Sequence, residues 1–383
     1  MHRSIARRHV AGAGAAWLLA GHAAAAAEPG ETLTIAQIVE LTGPAAAFGD
    51  AWRNGVELAV QERNAGGGLL GKLVQVVTFD AQSTAFGGRV AMQRALDLEP
   101  LAVLGPALSE ASRGALAVLR ARDTPLILGG NAADLTGAAH PATVRPLPSA
   151  AAMMARLCAW LHDEEKPARV AVLWSGHEPF RALRDALLPE ARGYGIDLAA
   201  EWIAESGEPA ADLSRLLKAA PDLLLVLVGP DLAGRVILEA RRQAPQVRLI
   251  GDATLLAPQT LQVAGLAAEG VLAHVVLPPE PEAGPLAAFA ARYEAANKQP
   301  PEELALAGYL AVGMVKAALD KACSADAHAL TEALRGLSTT VATQPMLLAD
   351  CTWNAAGTPD RPSWIIERHG GKFRSVATLR DAA

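Results

Sequence analysis

Beyond residue 30 the chain alternates short, unbroken apolar runs with longer stretches in which apolar side chains recur every three or four residues. The runs at 32–39, 72–79, 101–104 and 125–128 lack an alternating polar face, which is the pattern of strands covered on both sides. Between them, 50–64 places Trp52, Val56, Ala59 and Val60 on one helical face, and 85–98 and 109–121 repeat the helical spacing. Gly66, Gly67 and Gly68 end the first helix, because glycine readily accepts the left-handed backbone found there. Strand and helix in strict alternation predict α/β architecture, a mostly parallel sheet flanked by helices.

Around Pro146 and Pro148 the rhythm pauses, and then it restarts. Strands are expected at 168–174, 197–203, 222–228 and 247–250, with helices near 179–193, 210–219 and 231–243. A second doubly wound unit means a second lobe. A further strand at 270–277 runs into Pro278, Pro279 and Pro281, followed by helices at 284–297 and 302–322 and a β-rich tail from about Met346. Late helices must cover a sheet that already exists, so the chain is expected to cross back between lobes. The expected division is 1–27 leader, 28–147 first lobe, 148–275 second lobe, 276–362 return to the first, and 363–383 return to the second.

The leader assignment rests on Arg3, Arg7 and Arg8, an apolar stretch at 10–20 and Ala25-Ala26-Ala27, the layout of an export signal cut near Ala27. The apolar stretch is well short of the roughly 20 residues that span a bilayer. His22 stands where a lipoprotein needs a cysteine, so an exported, periplasmic protein is expected, by either export route. In an oxidising compartment the three cysteines allow one disulfide, with Cys323 and Cys351 the candidate pair. Cys158 sits among Met153, Met154, Leu157, Trp160 and Leu161 in a helical pattern and reads as core.

Charge narrows the function. The net charge is −6, and setting aside the three leader arginines leaves 31 basic against 40 acidic residues. A chain this acidic, without basic runs, is unsuited to a phosphate backbone, so no nucleic acid partner is expected. Gly66 to Lys72 imitates a nucleotide-binding loop, but Leu73 replaces the hydroxyl that such a loop gives to magnesium, and the order is helix to strand rather than the reverse. There is no G-x-S-x-G, no histidine pair and no Cys-x-x-Cys. No catalytic residue, metal or cofactor is therefore expected. What remains is a set of side chains just past the C-terminal ends of strands, where open α/β sheets bind ligands. Ser109 would cap the helix that it opens, Asn131 follows 126–130, and Phe48 lies in the first strand-to-helix loop.

These segments resemble the substrate-binding proteins of ABC importers for branched-chain amino acids, the leucine-binding-protein-like type I periplasmic binding proteins. The matching pieces are Leu41-Thr42-Gly43-Pro44 with Phe48-Gly49-Asp50, Asn64-Ala65-Gly66-Gly67 leading to Gly71-Lys72-Leu73-Val74, and Leu104-Gly105 through Ser109. Ala268-Glu269-Gly270-Val271, Gly308-Tyr309 and Thr352-Trp353-Asn354-Ala355-Ala356-Gly357 follow in family order. The resemblance implies two lobes that close on a ligand at a hinge. It gives Ser109 the ligand's carboxylate, puts Asn131 where the family uses threonine, and makes Phe48 and Phe180 cleft aromatics. Trp174 to Phe180 matches the loop after the first strand of the second lobe.

Two departures follow from the same comparison. A family tyrosine is replaced by Val228-Gly229-Pro230-Asp231, and the glutamate that holds the ligand's ammonium by Gly251-Asp252-Ala253-Thr254. Either Asp252 takes over the ammonium, or the ligand lacks one and is a small carboxylate, an amide or an aromatic acid, with His177 adding a hydrogen bond. The expectation is a monomeric solute-binding protein that hands a small polar or carboxylated molecule to a membrane permease and catalyses nothing. The alternatives are a sensor of the same fold and, third, an enzyme.

Overall fold

The computed structural model describes residues 32–119, 124–204, 207–281 and 283–380. The leader expected at 1–27 and the end of the helix expected at 109–121 lie outside them. The first lobe is built from β1 (Leu33–Val39), α1 (Ala46–Ala65), β2 (Val74–Asp80), α2 (Ala85–Leu96), β3 (Val103–Leu104), α3 (Ser109–Leu119), β4 (Leu126–Ile127) and β5 (Thr143–Val144). Its sheet is entirely parallel in the order β2-β1-β3-β4-β5. Ile35, Ala36, Ile38 and Val39 are all fully buried, which is why β1 shows no alternation in sequence. β5, two residues long, is too short to carry a periodic signal.

The second lobe follows with α4 (Ala150–Trp160), β6 (Val170–Trp174), α5 (Phe180–Gly193), β7 (Leu198–Ile203), α6 (Pro209–Leu216), β8 (Leu223–Leu227), α7 (Pro230–Gln243), β9 (Arg248–Gly251), α8 (Pro258–Ala264) and β10 (Leu272–Val275). After it come α9 (Pro285–Asn297), α10 (Glu303–Ala322), α11 (Ala327–Leu334), the antiparallel pair β11 (Ser338–Thr339) and β12 (Cys351–Thr352), then β13 (Ser363–His369) and β14 (Lys372–Leu379). The second sheet has the order β14-β13-β10-β9-β8-β6-β7, parallel except where β13 and β14 add antiparallel at one edge. The helical spacing misses α8 and α11, which are only two turns long.

α10 is apolar nearly all round and is buried accordingly, packing against α1 in the core of the first lobe. The two helices meet at glycines. A Cβ on Gly55 would lie 2.0 Å from the Ala305 carbonyl oxygen, and one on Gly308 2.2 Å from that of Trp52, so neither position tolerates a side chain. At the other end of α1 the glycine run makes a turn, as its composition predicts: the Gly68 amide bonds Arg63 O, and Asn64 clasps Val74 of β2 through both its amide nitrogen and its oxygen. The candidate disulfide is not formed. Cys323 is exposed at the C-cap of α10, Cys351 is buried on β12, and both thiols are free, as is buried Cys158. Among the described residues no helix is long and apolar enough to cross a membrane.

Candidate functional site

A cavity of about 700 Å³ is lined by both lobes at the C-terminal ends of their strands. Phe48, Leu108 and Asn131 come from the first lobe, and Asp252, Thr254 and His274 from the second. Part of its lining is apolar, contributed by Met153, Met154, Leu157, Leu183, Leu225 and Leu227. A chamber of this kind, with a few convergent polar groups, is the usual form of a small-molecule site.

The wall from the first lobe is held by bonds within the protein. Glu40, fully buried at the end of β1, accepts from the amides of Ala107 and Leu108, each 3.2 Å away. The amides just ahead of α3 are thus occupied by the chain's own carboxylate. Burial raises its pKa to about 7, against the opposing pull of those amides. Ser109, 1% exposed, does not line the cavity: its hydroxyl donates to Asn131 Oδ1 (3.3 Å) and accepts from the Ala132 amide (3.2 Å). Its role in this geometry is to hold Asn131, which does line the cavity.

Buried Arg145 pins the same loop, donating to Gly130 O (3.0 Å), Ala132 O (2.9 Å) and the Thr136 hydroxyl (3.2 Å). Arg145 is braced in turn by the tail motif, since Trp353 Nε1 donates to its carbonyl and its amide bonds Gly357 O. Phe48 follows a loop gathered by Asp80, whose carboxylate accepts from the amides of Leu41, Thr42 and Gln82 and from the Thr42 hydroxyl. Burial works against that charge, but the four donors outweigh it and hold the carboxyl below its ordinary range.

The wall from the second lobe is more open in its bonding. Asp252, half-buried past the end of β9, accepts from the Thr254 amide (3.1 Å) and lies within reach of the Thr254 hydroxyl, which also reaches Val228 O (2.8 Å). One hydroxyl proton cannot serve both acceptors. Burial pushes Asp252 up to about 6, the Thr254 bonds opposing. Glu303, at the start of α10, accepts from the Val276 amide (2.7 Å); burial raises it to about 7, with Asp252 adding to the rise.

Besides Ser109, two residues expected at the site do not line it. Phe180, 4% exposed, is the first residue of α5 and packs into the core with Trp174 and Leu183, while Pro179 and Leu183 line the cavity instead. His177 is exposed on the preceding loop and does not line the cavity. Beside it Glu178 lies 3.6 Å from Arg113 of α3, which also pairs with Asp134 at 2.9 Å, so an ion-pair cluster links the two lobes. Sequence reasoning passed over Glu40, Thr254, His274 and Glu303. A lone acid or histidine ending or interrupting an apolar strand was the available signal for Glu40 and His274.

Polar groups converging from two Rossmann-like lobes on one chamber, with no metal-binding cluster among the described residues, define a small-molecule binding fold. Residues 32–372 match the family described as periplasmic binding protein, and the chain belongs to that family. It is 23% identical over 309 residues to the leucine-, isoleucine-, valine-, threonine- and alanine-binding protein of Pseudomonas aeruginosa, covering 80% of this chain and 82% of that one. Among solved structures, a solute-binding protein of an ABC transporter from Rhodopseudomonas palustris, in complex with 3,4-dihydroxybenzoic acid, is 20% identical with a TM-score of 0.79, over 92% of this chain and 98% of that one. A leucine-binding protein from Thermotoga maritima is 19% identical with a TM-score of 0.77, over 91% and 99%.

Proposed function

We propose that this protein is the solute-binding component of an ABC importer, exported to the periplasm with its leader removed near Ala27, where it closes on one small molecule and presents it to a membrane permease. The observation that carries this reading is the 700 Å³ chamber walled by both lobes, because a ligand held there touches both and closing is favoured by the contacts it makes. The solute has a compact apolar body and at least one hydrogen-bonding end. The apolar part of the lining calls for the body, and Asn131, Asp252 and Thr254 offer polar contacts. Branched-chain amino acids and hydroxylated benzoates both have this form, and relatives bind members of each class. Ser109 acts through Asn131 in this reading.

The test is a thermal-shift screen of the protein from Glu28 against leucine, alanine, benzoate, 4-hydroxybenzoate and the corresponding benzamides. A compound at about 100 times its dissociation constant adds roughly 2.7 kcal/mol and gives a plain rise in melting temperature. A rise with at least one compound supports the reading; no rise with any of them overturns this ligand class. Leucine as the strongest compound would assign the ammonium to Asp252.

A further inference from the structure

We propose that His274 is a ligand-contacting, specificity-determining residue, donating a hydrogen bond from Nδ1 to an uncharged oxygen carried by the apolar body of the solute. This rests on the chamber being the binding site, as proposed above.

His274 is on β10, 2% exposed, and lines the cavity. It shares its face of the strand with Leu272, which belongs to the same core cluster as Met154, Leu157, Leu225 and Leu227. Those four are also apolar walls or close companions of the chamber. One imidazole nitrogen is accounted for: Nε2 lies 2.9 Å from the Ser363 hydroxyl on β13. The other, Nδ1, is buried with no hydrogen-bond partner among the described residues.

The network around Ser363 assigns the tautomer. Ser363 Oγ accepts from Arg156 Nη1 (3.3 Å), and its own single hydrogen has His274 Nε2 as its one acceptor among the described residues. The arrangement that pairs the Ser363 hydrogen has Nε2 as the acceptor and the imidazole hydrogen on Nδ1. The ring stays neutral, since burial, reinforced by the nearby Arg156 charge, pushes its pKa down to about 3. A buried neutral N–H on a residue that lines the chamber is costly to leave unpaired, and an oxygen on the solute that reaches it relieves that cost. A hydroxyl, phenol or carbonyl oxygen fits; an alkyl terminus does not. Of the solutes considered above, the hydroxylated aromatic class is thereby selected over the branched-chain class.

Two measurements test this. In ¹⁵N-histidine spectra of the ligand-free protein, the His274 ring should show the Nδ1–H tautomer, unchanged in charge between pH 5 and 8; an Nε2–H tautomer overturns the proposal whatever binds. Titrations should then compare 4-hydroxybenzoate with benzoate, and 4-hydroxybenzamide with benzamide, in wild type, His274→Leu and His274→Asn. The leucine variant should lose about tenfold in affinity for the hydroxylated member of the pair that binds, the worth of one neutral hydrogen bond, and change little for the other. Asparagine, with a donor near the Nδ1 position, should restore most of the loss, which separates a lost contact from a disturbed fold. Hydroxylated compounds binding His274→Leu as tightly as wild type, or leucine binding alone and indifferent to it, would overturn the inference while leaving the solute-binding reading intact. If no compound binds wild type, both fall together.

Discussion

The two walls of the chamber stand at equivalent places, past the C-terminal ends of parallel strands, yet they use their polar groups in opposite ways. On the first lobe Glu40 occupies the amides ahead of α3, Ser109 is bonded to Asn131 and Ala132, and Arg145 is bonded to the loop beneath. On the second, the one Thr254 hydroxyl proton lies between two acceptors, Asp252 and Val228 O, and His274 holds a nitrogen with no partner among the described residues. Most polar groups of the first wall are bonded within the lobe, with Arg145 Nε the exception, buried and without a hydrogen-bond partner among the described residues. The second has bonding capacity left over, and that capacity is what a solute can satisfy.

If this contrast is right, substitutions on the two walls should separate into effects on folding and effects on binding. The largest effect is expected from Glu40→Leu, which strips the acceptor from two buried amides and should cost roughly 2–3 kcal/mol of stability in denaturant melts. Asp252→Asn, on the opposite wall, should leave stability within about 1 kcal/mol and instead alter affinity for the best panel compound by about tenfold in calorimetric titration. Equal losses of stability at both positions would break the comparison.

Next in size is a dependence on pH. Glu40 and Glu303 titrate near 7 and Asp252 near 6 in the folded chain, all above the ordinary carboxylate values of 4.5 and 3.8. Between about pH 4 and 7 the folded state therefore binds more protons than the unfolded one. Their contribution to stability is fully present below the unfolded values and is lost as pH rises through 6 to 7. Melting temperature followed across that window should fall with rising pH by this part of the linkage, and Glu40→Gln should flatten the slope. The smallest effect belongs to the ion-pair cluster between lobes: Glu178→Gln removes a buried carboxylate that faces the exposed guanidinium of Arg113, and should change affinity by no more than a few-fold, and less at high salt. A larger change, insensitive to salt, would move part of the specificity to the rim.

The periodic signals carried most of the architecture into view, because β1, β8 and the long helices are buried by their own apolar patterns. Even so, β5, α8 and α11 escaped, each too short for a period to register. The site was legible in position but not in availability. Asn131, Phe48 and Asp252 could be placed at strand ends from the sequence and line the chamber. Whether a hydroxyl is free depends on neighbours brought in by the fold, and Ser109 has its partners 22 and 23 residues away. The resemblance makes Phe180 a cleft aromatic, yet the turn of α5 sends it into the core. His274 was hidden for the converse reason, since a histidine inside an apolar strand reads as a satisfied core residue until its nitrogens are traced.

The Ser363 contact has a consequence for how the molecule is made. His274 is positioned by a residue 89 places further on, and Arg156 reaches Arg361 O and Ser363 across 205 and 207. All the strands of the first lobe and the five parallel strands of the second precede those residues, so a growing or clipped chain that stops short of 363 holds both sheets in outline but lacks the Ser363 contact. The bonds that position the His274 ring thus arrive only with the last stretch of polypeptide.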